Sequence, residues 1–159
     1  MSDLVELAHA ADCWRGSCLN YFARTEAAVA KTLEAAQASG KLRNIRHLAG
    51  QRLSDLIALS GEIDATDKQK SALSKALKSW QSLEQNRQYL AHGVATIAVD
   101  QKGAWIAIYD LKTYRSNVGK EERWAVKQSE AEEFSSQLGQ AFKMLSGQLG
   151  QFRKRIEAA

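Results

Sequence analysis

The sequence predicts a mainly α fold: a bundle of about four helices with a β-hairpin inserted before the C-terminal helix. Three observations predict it. Apolar residues recur at three-to-four spacing along most of the 159 residues, the chain has no proline, and the period drops to two only between Val94 and Val126. A chain of this length suits one domain with a modest core, residues 1–159, of which 1–10 are the segment most open to flexibility.

Residues from about Ala11 to Ser39 read as one long helix, with Trp14, Cys18, Phe22, Val29, Leu33 and Ala36 near one face. Gly40 is its expected stop. A second helix is expected from about Asn44 to Ser60, with Leu48, Leu53, Leu56 and Ile57 inward and Gly61 closing it. The third starts at Thr66-Asp-Lys-Gln69, which has the form of a capping box, and Asp67 suits the positive end of the helix dipole. Its stripe is Leu73, Ala76, Leu77, Trp80, Leu83, Leu90 and Ala91, and Gly93 supplies the C-cap. Val94–Val99 and Trp105–Leu111 then read as a hairpin about the turn Asp100-Gln-Lys-Gly103. After a loop over Tyr114–Lys120, Glu122 to Val126 has the composition of a third short strand. The last helix is expected to start with the box Ser129-Glu-Ala-Glu132 and carries the stripe Phe134, Leu138, Ala141, Phe142, Leu145, Leu149, Phe152 and Ile156.

Composition narrows the function classes. Hydrophobic content of 45% and charged content of 25% are ordinary for a soluble globular protein. No apolar stretch approaches the roughly 20 residues of a membrane span. The start Met1-Ser-Asp-Leu-Val-Glu lacks the pattern of a signal peptide, so a cytoplasmic protein without a membrane partner is the simplest reading. Cys13 and Cys18 are the only cysteines and are not spaced as Cys-x-x-Cys, so they read as small buried hydrophobes. No His/Cys/Asp/Glu cluster has metal-ligand spacing, and no nucleotide-binding or serine-hydrolase motif is present, so no cofactor is expected. A net charge of +4 permits an anionic partner without requiring one.

The most informative segment is Asn86-Arg87-Gln88-Tyr89-Leu90-Ala91-His92-Gly93. A planar guanidinium holds two phosphate oxygens, and an imidazole gives and takes protons near neutrality. RNA carries its own nucleophile, the 2′-hydroxyl, so cleaving it calls for proton transfer and stabilisation of charge, and not for a metal. Arg87 falls on the core stripe between Leu83 and Leu90, where a charge needs a partner. The structural alternative is that His92 and Gly93 simply finish a helix while Glu84 pairs with Arg87 one turn away. Geometry adds a condition. Five residues of ideal helix turn about 500°, which leaves Arg87 and His92 roughly 140° apart. They converge only if the helix unwinds before His92 or if two chains contribute.

Arg87-Gln-Tyr-Leu-Ala-His92, at the end of a core helix and followed by a hairpin, resembles the Arg-x(4–6)-His motif of the HEPN superfamily. The likeness in layout spans about residues 12–156. The resemblance implies a metal-independent endoribonuclease, of the kind found among toxins and phage-defence effectors. It implies a homodimer whose two motifs face each other, RNA as substrate, and in some cases an antitoxin partner. It gives Arg87 the phosphate, His92 the proton transfer, and Gln88 the position after the arginine, where active members often carry Asn, Asp or His. The His-x-Tyr ending of the tyrosine-modified toxins is replaced here by His92-Gly93-Val94. Many HEPN-like domains are non-catalytic interaction or dimerisation modules, which is the alternative implied; RNA binding without cleavage is a third.

Two basic regions are candidate substrate contacts. Lys41-Leu-Arg43-Asn-Ile-Arg46-His47, with Arg52, is either a phosphate-backbone patch or a solvated loop. The hairpin region carries Lys102, Lys112 and Arg115 among Trp105, Tyr109, Tyr114 and Trp124. Cations interleaved with aromatics suit single-stranded nucleic acid, while aromatics on a hairpin packed over helices more often form core. His9 with Asp12 makes a weak further pair.

Overall fold

The computed structural model describes residues 4–159. The elements in chain order are α1 (Leu4–Ala38), α2 (Ala49–Glu62), α3 (Asp67–Glu84), a short α4 (Arg87–His92), β1 (Val94–Val99), β2 (Trp105–Arg115), β3 (Val118–Lys127) and α5 (Gln128–Ala158). The fold is mainly α, with four long helices and a three-stranded antiparallel sheet, order β1-β2-β3, before the C-terminal helix. The chain forms two compact units. One comprises residues up to Tyr21 with Leu83–Leu138, the other Phe22–Ser82 with Gly139–Ala159.

The second unit is helical, built from the distal part of α1, from α2 and α3, and from the later part of α5. Val29, Leu33, Leu56, Leu73, Leu77, Leu145 and Leu149 are all buried, as the three-to-four spacing requires. Phe22 meets Trp80 edge-on at 5.5 Å between ring centroids. Each such large side chain contributes roughly 1.5–3 kcal/mol when fully buried. Buried Thr32 is satisfied twice over: its hydroxyl donates to Ala28 O (2.8 Å) and accepts from Arg153 Nη1 (3.0 Å).

The predicted stop of α1 is a Schellman motif. Gly40 has φ +72°, its N–H donates to Gln37 O (3.0 Å), and the N–H of Lys41 donates to Ala36 O (2.9 Å). The box of α3 is reciprocal: Thr66 N–H donates to Gln69 Oε1 (3.0 Å) and Gln69 N–H to Thr66 Oγ1 (3.3 Å).

Several boundaries differ from expectation. Helix α1 already runs from Leu4, because nothing between Leu4 and Ala10 breaks a helix; Leu4 and Val5 are exposed and Leu7 is only half-buried, so the buried stripe does not mark these first turns. Helix α2 starts at Ala49 and not Asn44, because Arg46 and Arg52 hold the preceding segment as a loop. Leu48 is its N-cap residue in extended conformation, 57% exposed, and Gly61 lies within the helix. The third helix is interrupted at Gln85-Asn86. Asn86 forms helix weakly, and its N–H reaches Leu83 O, three residues back, at 3.2 Å.

In the first unit, residues on β2 alternate as a half-buried strand demands. Trp105, Ala107, Tyr109 and Leu111 are buried, whereas Asp110 and Lys112 are exposed. The expected loop over Tyr114–Lys120 is mostly strand. Arg115 pairs with Val118 across the two-residue turn Ser116-Asn117, whose φ values of 48° and 65° fit a type I′ hairpin. The cap of α5 lies two residues earlier than expected: Glu130 Oε2 accepts the Lys127 N–H at 2.8 Å.

Candidate functional site

The Arg–His segment lies wholly in the first unit, where α4 is a helix of its own. Arg87 is its first residue and half-buried; His92 is its last residue and exposed; Gln88 is exposed. The break in helix falls before Arg87, and α4 itself is continuous from Arg87 to His92. The roughly 140° offset of an ideal helix therefore applies to the two side chains, and the helix does not unwind between them. Arg87 is also engaged by a neighbour within the protein.

The exit from α4 is closely built. Gly93 caps it, but with φ −70° and ψ 140°, an extended conformation open to any residue. Glycine is required there by contact. A Cβ would lie 2.5 Å from Tyr89 O and 3.1 Å from Tyr109 Cβ. The Gly93 N–H donates to Tyr89 O at 2.9 Å. A residue that the sequence did not single out completes the cap: Arg15 of α1 donates through Nε to Leu90 O (2.6 Å) and through Nη2 to Gly93 O (3.3 Å). Its guanidinium lies 5.5 Å from the centre of the Tyr109 ring. A cation on the last carbonyls of a helix is favourable to the dipole. The only sequence signal for this role was an arginine beside the buried stripe of α1, since backbone carbonyls 75 and 78 residues away leave no trace in composition.

Under α4 and the sheet sits an aromatic cluster. Trp14 lies 5.7 Å from Trp105, 6.2 Å from Trp124 and 6.3 Å from Phe134, and its indole N–H donates to Ala131 O at 2.8 Å. Tyr89 of α4 reaches Trp124 at 6.0 Å, which seats the Arg–His helix on the cluster. Trp105 and Tyr109 are therefore core and not platforms for bases; of the hairpin aromatics, Tyr114 is 68% exposed. Burial pushes the Tyr109 hydroxyl up to about 12, partly opposed by Arg15, and pushes the Cys18 thiol up to about 11, partly opposed by its contact with Ser135. Neither group is poised for chemistry at neutral pH.

The basic candidates divide between the units. In the second unit, Arg46 forms a bidentate pair with Asp55 (2.6 and 2.8 Å) and also donates to Gln51 O, while Arg52 donates to His47 O. Arg43 is exposed, and its carbonyl accepts from Gln37 Nε2 at 3.1 Å. On the sheet, Lys112 faces Glu121 across strands at 3.8 Å, and Arg123 is bidentate to Asp110. Lys102 and Arg115 are exposed at the two turns. A concavity of about 770 Å³ is lined by Asp100, Lys102, Lys127, Ser129 and Glu132, and one of about 540 Å³ by Val94, Asp110, Lys112, Glu121 and Arg123. Neither is lined by Arg87 or His92. His9 meets Cys13, and not Asp12, at 3.5 Å; Cys18 is buried as expected, whereas Cys13 is exposed, on the outer side of α1.

Among the described residues no group of three or more His, Cys, Asp and Glu is arranged to hold a metal ion, and no helix is long and apolar enough to cross a membrane. No family model, curated protein or solved structure matches the chain.

Proposed function

We propose that the protein is a HEPN-like, metal-independent endoribonuclease acting as a homodimer, with a composite site made from Arg87 of one protomer and His92 of its partner. One observation carries the reading: the two residues open and close a single six-residue helix, one half-buried and one exposed, on faces roughly 140° apart. Apposition of two such helices is what brings an arginine and a histidine together. The Arg87 guanidinium holds the non-bridging phosphate oxygens and balances the charge of the transition state. His92 of the site takes the proton of the 2′-hydroxyl as its oxygen bonds to phosphorus, and the imidazolium so formed gives that proton to the departing 5′-oxygen as the P–O5′ bond breaks. Gln88, exposed beside Arg87, is placed to contact substrate and supplies neither proton nor charge. Exposed Lys102 and Arg115 are then secondary contacts to the RNA backbone.

The test is complementation in EDTA. Arg87→Ala and His92→Ala proteins are each inactive on RNA, and mixing them with exchange of subunits restores about one quarter of wild-type activity, because half of the dimers are mixed and each has one intact site. No restoration on mixing rules out a site divided between chains, and cleavage by both single variants at the wild-type rate sinks the ribonuclease reading.

A second reading, a non-catalytic dimerisation module, is favoured by the cap itself: Arg15 and Gly93 explain the end of α4 without any chemistry. It predicts that His92→Ala alters assembly or melting while no RNA is cleaved by the wild type. A toxin or defence role, with an antitoxin as partner, predicts growth arrest on overexpression that depends on His92.

A further inference from the structure

We propose that Arg15 is the positioning residue for His92, holding the backbone on both sides of it so that the exposed imidazole meets its partner in one place. The inference rests on the ribonuclease reading of Arg87 and His92, and deepens it.

A helix leaves its last carbonyls without intrahelical partners. At the end of α4, Tyr89 O takes the Gly93 N–H, and Leu90 O and Gly93 O are taken by a single guanidinium from α1. Those two carbonyls lie two residues before His92 and one residue after it. The fork therefore spans the histidine, and rotation of the His92 backbone strains charged hydrogen bonds on both sides of it. The guanidinium is itself held. It lies over the ring of Tyr109, which is 1% exposed, and Gly93 packs on the Cβ of the same tyrosine. The exposed ring thus projects from a pinned main chain, an arrangement suited to a group that reacts with something arriving from outside the protomer. Lysine cannot reproduce it, because an ammonium lacks the planar fork and the face that rests on the ring.

The experiment compares wild type with the charge-preserving Arg15→Lys and the neutral Arg15→Gln in RNA cleavage, thermal melting and amide hydrogen exchange of residues 88–94. We expect kcat to fall about tenfold or more with KM changed less than about twofold, because positioning acts on the transition state and not on substrate binding. Exchange at His92 and Gly93 is expected to accelerate while amides of α3 stay unchanged. Loss of activity in proportion to the unfolded fraction, or a rise in KM at constant kcat, would overturn the proposal, as would unchanged exchange at His92 in both variants. If the wild type cleaves no RNA, the ribonuclease reading fails separately, and the exchange data still decide whether Arg15 fixes His92. If Arg15→Gln does not fold, Arg15→Lys supplies both readouts.

Discussion

At the scale of single residues, close approach governs more than charge does. Gly93→Ala puts a methyl 2.5 Å from a backbone oxygen that cannot swing away, and is expected to cost about 2–3 kcal/mol in denaturant unfolding. Gly147, inside α5 with open space around its Cβ position, is the contrast: Gly147→Ala is expected to stabilise by about 0.5–1 kcal/mol. Asp100 gives a pH prediction. Its carboxylate accepts the N–H groups of Ala104 and Lys102, which hold it below the usual carboxylate range. A group depressed in the folded state stabilises above its unfolded value, about 3.9, and ceases to as pH falls through the folded value. Melting temperature should thus decline below about pH 4, and Asp100→Asn should flatten part of that decline. These residues differ in legibility. The turn at Asp100 was readable because Asp and Gly announce their own geometry. Arg15 was not, because its partners are carbonyls, which every residue carries.

At the scale of elements, local signals were read well where the reason for the boundary is local. The reciprocal box at Thr66 and Gln69 and the Schellman stop at Gly40 both depend on a few residues adjacent in the chain. Thr66→Ala is expected to cost about 1 kcal/mol, seen as a lower denaturation midpoint with unchanged slope. Boundaries fixed by contacts at a distance leave no such local trace. The loop before α2 exists because Arg46 reaches Asp55, nine residues on, and no periodicity reveals that. The third strand was legible over Glu122–Val126, but the distal end of the β2–β3 hairpin was hidden, since its polar and charged residues resemble solvated loop. Paired in register, the same charges alternate in sign across strands, with Asp110 opposite Arg123 and Lys112 opposite Glu121. Ser116-Asn117 adopts the type I′ turn with two non-glycine residues at positive φ. Replacing it with Asn-Gly is therefore expected to raise stability by a few tenths to about 1 kcal/mol.

At the scale of the whole molecule, the mainly α class with a sheet before the last helix was legible, because a change of period from 3.6 to two survives any error in boundaries. A site shared between two copies has no such signature, since sequence records only one. If the site is shared, specific activity on RNA falls on dilution below the dimer dissociation constant, and a tethered double-length chain resists that fall. The passage from α4 to β1 then bears on time. A single residue, Gly93, separates the helix that ends in His92 from a strand paired to β2 over its full length. A histidine on a flexible loop moves with it in nanoseconds to microseconds. This one has no slack on either side: its main chain moves only when a strand unzips or a helix turn opens, events of microseconds or longer. Backbone relaxation at His92 is therefore expected to match that of the sheet, with an order parameter of about 0.85. A partner surface or an RNA strand would have to adapt to the place where the main chain holds the histidine, leaving only its side chain to turn.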